Sequence, residues 1–292
     1  MDSPRQPEVW FITGTSSGLG ECLVQSVLAR EDYFIATVRQ VEKFKLTDVD
    51  RTRLHVLRLD VTDFEENISK AVSEGVAKWG RIDVLVNNAG IIPKCLSEEG
   101  GSKAAMETFQ TNFFGQINVT NAVLPYMRER KSGTIVNMGS RSAWIDLPNF
   151  VWYCSSKAAL HAYTTTLANE MAGFGIRAMV AIPGGFQTPT TINGPSLAKK
   201  AIPDYDEMRQ NAHRIAQQSW DQWKGVGDPA RAMELLVDVL KGEGRAKGRD
   251  APVLLFVGQG TYNRGRAYCK NLMETMDAWE DIARDLDLEE SS

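Results

Sequence analysis

With 292 residues, 43% of them hydrophobic, the chain carries enough apolar material to bury a large core as one α/β domain. A net charge of -4 offers no electrostatic case for a nucleic-acid partner, and no apolar run approaches the length that crosses a bilayer. The four cysteines, Cys22, Cys95, Cys154 and Cys269, are scattered without metal-type pairing, and residues 1–8 lack a basic segment followed by an apolar core, so the expectation is a metal-free cytoplasmic protein with reduced thiols.

Residues 1–7 read as a polar tail, 8–258 as one α/β domain, and 259–292 as a C-terminal extension. Val9 to Thr13 has strand character, Gly14, Gly18 and Gly20 follow within TGTSSGLG, and an amphipathic helix begins at once. Strand, glycine turn and helix in that order make a pyrophosphate cradle: the glycines let the backbone approach phosphates, and the helix N-terminus offers unpaired N–H groups and a positive dipole end. Further strands are expected near 33–38, 54–59, 82–87, 133–138, 176–182 and 252–257, with helices near 63–79, 103–130 and 152–173 between them. A helix near 228–241 opens with Asp228 as cap and Pro229 at its first position. This alternation predicts a doubly wound, Rossmann-type sheet of seven parallel strands with helices on both faces and a ligand crevice at the carboxyl ends of the strands.

The chemistry concentrates in two segments. Tyr153 and Lys157 stand four residues apart in WYCSSKAALHAY, and Ser140 lies thirteen residues before the tyrosine in NMGSRSAW. Residues at i and i+4 share a helix face, so the Lys157 ammonium is expected beside the Tyr153 phenol, favouring its ionised form. A phenol of ordinary pKa, about 10, is otherwise a poor acid or base at neutral pH. Alone, the pair reads equally well as an exposed lysine beside a half-buried ring.

Together with NNAG at Asn87 to Gly90, the glycine turn and the Ser/Tyr/Lys set resemble the short-chain dehydrogenase/reductase family in its compact TGxxxGxG form, from about Glu8 to about Val257. The resemblance implies hydride transfer between a nicotinamide cofactor and a carbonyl or carbinol carbon. Tyr153 would be the acid or base, Ser140 the hydrogen-bonding partner of the substrate oxygen, and Lys157 the group that bonds the nicotinamide ribose. Asn112 would kink its helix and hold a water in the proton path. It also implies cofactor contacts from Ser16, Ser17 and Leu19 in the glycine turn, from Asp60 and Val61 at the adenine, and from Asn88, Ala89 and Gly90 beside the ribose. Pro183, Gly184 and Thr188 would meet the carboxamide. One departure is Gly139, where relatives often carry a second serine.

Cofactor choice is read at the end of the second strand, YFIATVRQ. No carboxylate stands there to bond both ribose hydroxyls, and Arg39 follows Val38. A guanidinium suits a 2'-phosphate by charge and by fork geometry, and Ser17 could add a hydroxyl, so NADPH/NADP+ is the expected cofactor. The alternative is an Arg39 that is solvated or stacks on adenine without selecting.

Residues 185–227 are too long for an ordinary connection, carry Phe186, Tyr205, Trp220 and Trp223, and by resemblance form a substrate lid. Trp144, Leu147, Phe150 and Trp152 lie between Ser140 and Tyr153. So many large apolar groups favour a bulky lipophilic ketone, of secondary-metabolite, steroid or retinoid kind, as the small-molecule substrate. Oxidation of the corresponding alcohol, a non-redox cyclase or isomerase, and a dinucleotide sensor are the rival functions. Cys154 reads as an inert thiol, and His55, His161 and His213 form no ligand cluster, with His161 closest to function. KGEGRAKGR at 241–249 reads as a solvated loop. In the extension, Cys269, Leu272, Met273, Met276, Trp279, Ala283 and Leu286 recur at three and four residues, an amphipathic helix that packs on its own domain, closes the pocket or joins a partner subunit. A homodimer or homotetramer through the helices near 103–130 and 152–173 is what the resemblance implies.

Overall fold

The strands of the computed structural model, which describes residues 6–45, 50–186, 188–189, 194–212, 214, 227–284 and 286, are short runs, buried in the centre of the sheet and half-exposed at its edges. They are β1 (Val9–Thr13), β2 (Tyr33–Val38), β3 (Leu54–Arg58), β4 (Val84–Asn87), β5 (Gly133–Met138), β6 (Ile176–Pro183) and β7 (Leu254–Val257). All pair in parallel in the order β3-β2-β1-β4-β5-β6-β7. Helices on both faces explain why the central strands are continuously apolar rather than alternating. Successive side chains still part to opposite layers. Trp10 and Ile12 pack with Leu23, Val24, Leu236 and Val237 on one face. Val9 and Phe11 pack with Ile68, Val72, Val119 and Val123 on the other.

The covering helices are α1 (Gly18–Leu28), α2 (Glu65–Trp79), α3 (Ser97–Phe109), α4 (Gly115–Arg130), α5 (Val151–Ala172), α6 (Pro229–Lys241) and α7 (Gln259–Ala283). At α6, Asp228 Oδ1 accepts from the N–H groups of Ala230 (2.9 Å) and Arg231 (3.4 Å), with Pro229 at the first helical position, as the sequence predicts. The single helix expected over 103–130 is instead two: α3 begins earlier, bends at Gly101, and is joined to α4 through a π-helical turn over Gln110–Phe114. A wide turn of this kind admits one extra residue and turns Asn112 inward. The loop over 241–249 is exposed but not wholly solvated, because Ala246 is buried in the core and the Arg245 N–H bonds Asp238 Oδ2 at 3.1 Å.

After β3 the chain crosses to the far side of β1 to form β4. The connections leaving β1 and β4 therefore diverge, and the crevice opens between them. Polar groups tie the sheet end together beneath it. Asn87 Nδ2 donates to Thr120 Oγ1 and Asn137 Oδ1, both at 2.8 Å, and Asn137 Nδ2 donates to Thr164 Oγ1 at 2.8 Å. All four residues are buried, so β4, β5, α4 and α5 are locked by bonds that water cannot easily replace. Among the described residues no helix is long and apolar enough to cross a membrane, and no cluster of His, Cys, Asp or Glu could hold a metal ion. His213, Trp220 and Trp223 lie outside the described residues.

Candidate active site

The glycine turn is built by close approach. Gly18 adopts φ +64°, and a Cβ on Gly20 would stand 2.4 Å from the Gly14 carbonyl oxygen and 2.6 Å from Asn88 Nδ2. That amide donates to the carbonyls of Thr13 and Gly14, each at 2.9 Å, while Thr13 Oγ1 accepts from the N–H groups of Asn88 and Ala89 at 3.0 Å. Asn88 thus staples the turn to the end of β4. Ser17 sits at the N-cap of α1 without a side-chain capping bond, which leaves its hydroxyl facing the cavity beside Ser16, Gly18 and Leu19. Arg39 is exposed at the same cavity. Thr188, by contrast, is buried and lies over Gly18. Asp60 lines the cavity beside Val61, but its carboxylate is used locally, accepting from the Thr62 N–H (3.0 Å) and hydroxyl (2.8 Å).

Ser140, Tyr153 and Lys157 line this cavity together, with Pro183 and Gly184 opposite. Ser140 follows β5 and caps a short 3-10 turn, its Oγ accepting from the Ser142 N–H at 3.1 Å. The other two stand one helical turn apart on α5. Lys157 Nζ lies 5.9 Å from the Tyr153 ring centroid and donates to the Met138 carbonyl at 2.7 Å. Burial pushes the phenol up to about 12 against the lowering effect of its Ser140 hydrogen bond. Burial likewise brings the Lys157 ammonium down to about 8. The lowered phenol expected from i, i+4 spacing is therefore not what the geometry yields: the ammonium faces the ring and a carbonyl, and desolvation dominates.

Asn112 is buried at the π-turn, and its amide is almost fully committed. Oδ1 accepts from the Ile91 N–H (2.8 Å), and Nδ2 donates to the Ile91 carbonyl (2.9 Å) and to Ser156 Oγ (3.2 Å). Ser156 Oγ in turn donates to the Tyr153 carbonyl at 2.8 Å. Asn112 therefore joins the loop after β4 to the first turns of α5, and a water in a proton path would have to use the remaining acceptor capacity of Oδ1.

His161 is the site residue that sequence reasoning underrated. It is buried one turn beyond Lys157, and its Nε2 accepts from the Ser140 N–H at 3.2 Å. Burial and the Lys157 charge bring its pKa down to about 4, so the ring stays neutral and able to accept. A Cβ on Gly139 would stand 2.3 Å from the same Nε2, which explains the departure at 139: a serine there and the imidazole at 161 would need one volume. Trp144 presses edge-on against His161 at 5.4 Å and stacks on Phe256 at 5.4 Å.

That stack corrects an expectation. Leu147 and Phe150 line the cavity, whereas Trp144 is taken up by the Phe256 stack and Trp152 turns towards Cys95 and Gly100. Tyr205 likewise turns outward to donate to Glu98 Oε2 at 2.8 Å. The cavity of about 1080 Å³ is walled by Ile91, Ile145, Leu147, Phe150, Phe186 and Met208, with Arg141, Arg264, Asp204 and Glu207 adding charge. Its covering segment is held by Glu99, a buried residue in the first turn of α3, which accepts from the Ile202 N–H at 2.8 Å and pairs with Arg209.

A neutral phenol that shares one cavity with a serine hydroxyl, a lysine and a glycine-rich helix N-terminus can deliver a proton to an oxygen held there. Residues 8–196 match the family model described as short chain dehydrogenase. The chain is 31% identical over 278 residues to the oxidoreductase BOA17 of Botryotinia fuckeliana, covering 94% of this chain and 98% of that one. Among solved structures it is similar to a short-chain dehydrogenase from Streptomyces avermitilis, with a TM-score of 0.84 and 31% identity over 98% of this chain and all of that one. It shares its fold, at 24% identity and a TM-score of 0.71 over 88% of this chain and all of that one, with ElxO solved with NADP bound.

Proposed function

Because the chain belongs to the short-chain dehydrogenase family of oxidoreductases, we propose that it is an NADPH-dependent ketoreductase acting on a bulky, largely apolar carbonyl compound. The observation that carries the reading is that Ser140, Tyr153 and Lys157 line one cavity with the glycine turn and Arg39. When bound, NADPH supplies the hydride. The cavity volume, about 1080 Å³, slightly exceeds the range of about 300–1,000 Å³ typical of single small-molecule sites, which leaves room for cofactor and substrate together. The N–H groups opening α1, with the hydroxyls of Ser16 and Ser17, suit the pyrophosphate. Arg39 suits a 2'-phosphate, and no carboxylate at the end of β2 opposes it. ElxO, which shares the fold, was solved with NADP.

Ser140 Oγ donates to the substrate oxygen, and Tyr153 transfers its proton there as negative charge develops. A phenol pushed up to about 12 remains protonated across the neutral range, which fits an acid in the reductive direction. Lys157 holds the ribose and, as long as it is charged, eases departure of the phenolic proton. Asn112 keeps the start of α5 in place. The apolar wall of Ile91, Ile145, Leu147, Phe150 and Met208 supports a large lipophilic substrate.

The test follows NADPH and NADH consumption separately against carbonyl compounds running from small aldehydes through decalones and steroids to aromatic polyketide ketones. NADPH oxidation with a bulky ketone is the expected result, and equal turnover of small polar ketones contradicts the substrate reading. The Arg39→Ala enzyme should lose NADPH affinity by roughly tenfold or more, the value of a charge-assisted hydrogen bond, while its NADH affinity stays unchanged. Equal effects on both cofactors count against a 2'-phosphate contact.

A further inference from the structure

Helix α7 spans Gln259–Ala283, about 37 Å at about 1.5 Å per residue. Only its beginning rests on the domain. Thr261 and Gly265 are buried, Gly265 lies against Phe256 and Trp144, and Tyr268 stacks on Trp144 at 6.4 Å. From Arg266 to Arg284 every residue is exposed, so the helix overhangs its own domain. The overhang is not polar all round. Leu272, Met273, Met276, Trp279, Ile282 and Leu286 are exposed, with Met276 at 70%, Trp279 at 59% and Ile282 at 69%. Cys269, Leu272, Met276, Trp279 and Ala283 follow one another on the helix at alternating steps of three and four, the spacing of a two-helix seam. Soluble monomers rarely leave so long an apolar stripe in water.

We propose that α7 pairs antiparallel with α7 of a second copy of this chain across a two-fold axis near Glu274. Charge selects both the occupant and the direction. Arg266 and Lys270 lie in the first half of the exposed run and Asp277, Glu280 and Asp281 in the second, with Glu274, paired to Lys270 of its own helix at 3.5 Å, next to the centre. Arg284, the late exception, is already bonded to Glu280 of its own helix at 2.9 Å. Parallel pairing sets like charges side by side, whereas antiparallel pairing sets the basic half of each helix against the acidic half of the other. In the heptad register centred there, Leu272 interlocks with Met276 of the partner subunit and Cys269 meets Trp279 of the partner subunit. Arg266 faces Glu280 of the partner subunit, and the two Met273 side chains meet each other. The contact is the same from both sides, so it closes. A lipid surface fits less well, because membrane-lying helices flank their apolar stripe with Lys and Arg, and here the flanks from Glu274 onward are mainly acidic.

Sedimentation of the full chain tests the pairing. The double variant Leu272→Glu, Met276→Glu replaces side chains that are exposed in the single chain, so its circular dichroism should match wild type while its mass falls to half: from dimer to monomer, or from tetramer to dimer where α4 and α5 also associate. An unchanged mass overturns the proposal. A second measurement does not depend on charge insertion. In a Cys269→Ser chain, Met273→Cys should be linked to its own copy by a short bismaleimide, and Asp277→Cys, on the outer face, should not. Failure of the first or equal linking of both overturns the register. Flotation of a monomeric wild-type chain with phosphatidylcholine vesicles, lost in the double variant, overturns the choice of occupant.

Discussion

At the scale of single residues, Ser140, the serine proposed to bind the substrate oxygen, is positioned from behind by an imidazole. His161 Nε2 holds the Ser140 N–H at 3.2 Å and occupies the space that a side chain at 139 would need. His161→Ala leaves a buried N–H without a partner, a cost of about 1–3 kcal/mol, and frees Ser140 to shift. Turnover should drop roughly ten- to hundredfold with NADPH affinity unchanged. His161→Gln, whose amide oxygen can accept the same bond, should restore most of it, and equal activity of both variants with wild type excludes the positioning role. The two should also differ in acid. The folded pKa of His161, about 4, lies below the ordinary 6.5, so the unfolded chain takes up the proton first as pH falls. Wild type therefore loses stability from about pH 6.5 down to about 4, and His161→Gln should lack that component in denaturant melts taken across the window. A second pH effect belongs to Lys157, which gives up its proton near pH 8. Reductive turnover should hold below that value and decline above it, while a profile flat to pH 10 denies the lysine a charged role.

At the scale of elements, the segment that brings Asp204, Glu207 and Met208 to the cavity is held from the start of α3. Glu99 is buried, accepts from the Ile202 N–H at 2.8 Å and pairs with Arg209. Glu99→Gln should loosen the segment around Met208 and raise the substrate KM several-fold without changing NADPH binding, since Glu99 itself does not line the cavity. A KM equal to wild type removes this segment from substrate binding. Elements with one local cause were legible in the sequence. β1, β2 and β5 are bounded by turn residues and filled with apolar ones, and their observed limits coincide with the expected ones. The Asp228-Pro229 start of α6 needs no distant partner. Ser140, Tyr153 and Lys157 were legible because one helix and one strand end set their spacing. The Glu99–Arg209 tie spans 110 residues and His161–Ser140 spans 21. Neither leaves a periodic trace, since each depends on which loops the sheet order brings together. The opposed fates of Phe150 and Trp152 were hidden for a related reason: two aromatic residues two apart on a helix entry point to different neighbours, and only packing assigns one to the cavity.

At the scale of the whole molecule, the crossover from β3 to β4 creates the crevice, and buried polar ties hold the sheet that carries it. One such tie joins chain segments more than 200 residues apart. Buried Asp32 accepts from Trp10 Nε1 at 3.2 Å and from the Glu8 N–H at 3.0 Å, and pairs with Lys241 at the end of α6. Asp32→Ala leaves the Lys241 ammonium and the indole N–H without this carboxylate and should lower unfolding free energy by about 3–5 kcal/mol, read as a lower denaturant midpoint. A midpoint equal to wild type contradicts that assignment.

The central claim, that this architecture brings a Tyr153 proton to a carbonyl oxygen beside bound NADPH, is tested most directly by the Tyr153→Phe enzyme with the best ketone found. NADPH binding, followed by fluorescence, should match wild type, and turnover should fall by about 10²–10⁴-fold, the usual contribution of a general acid. Turnover equal to wild type with NADPH still bound would contradict the account, because the phenol would then not be the proton donor.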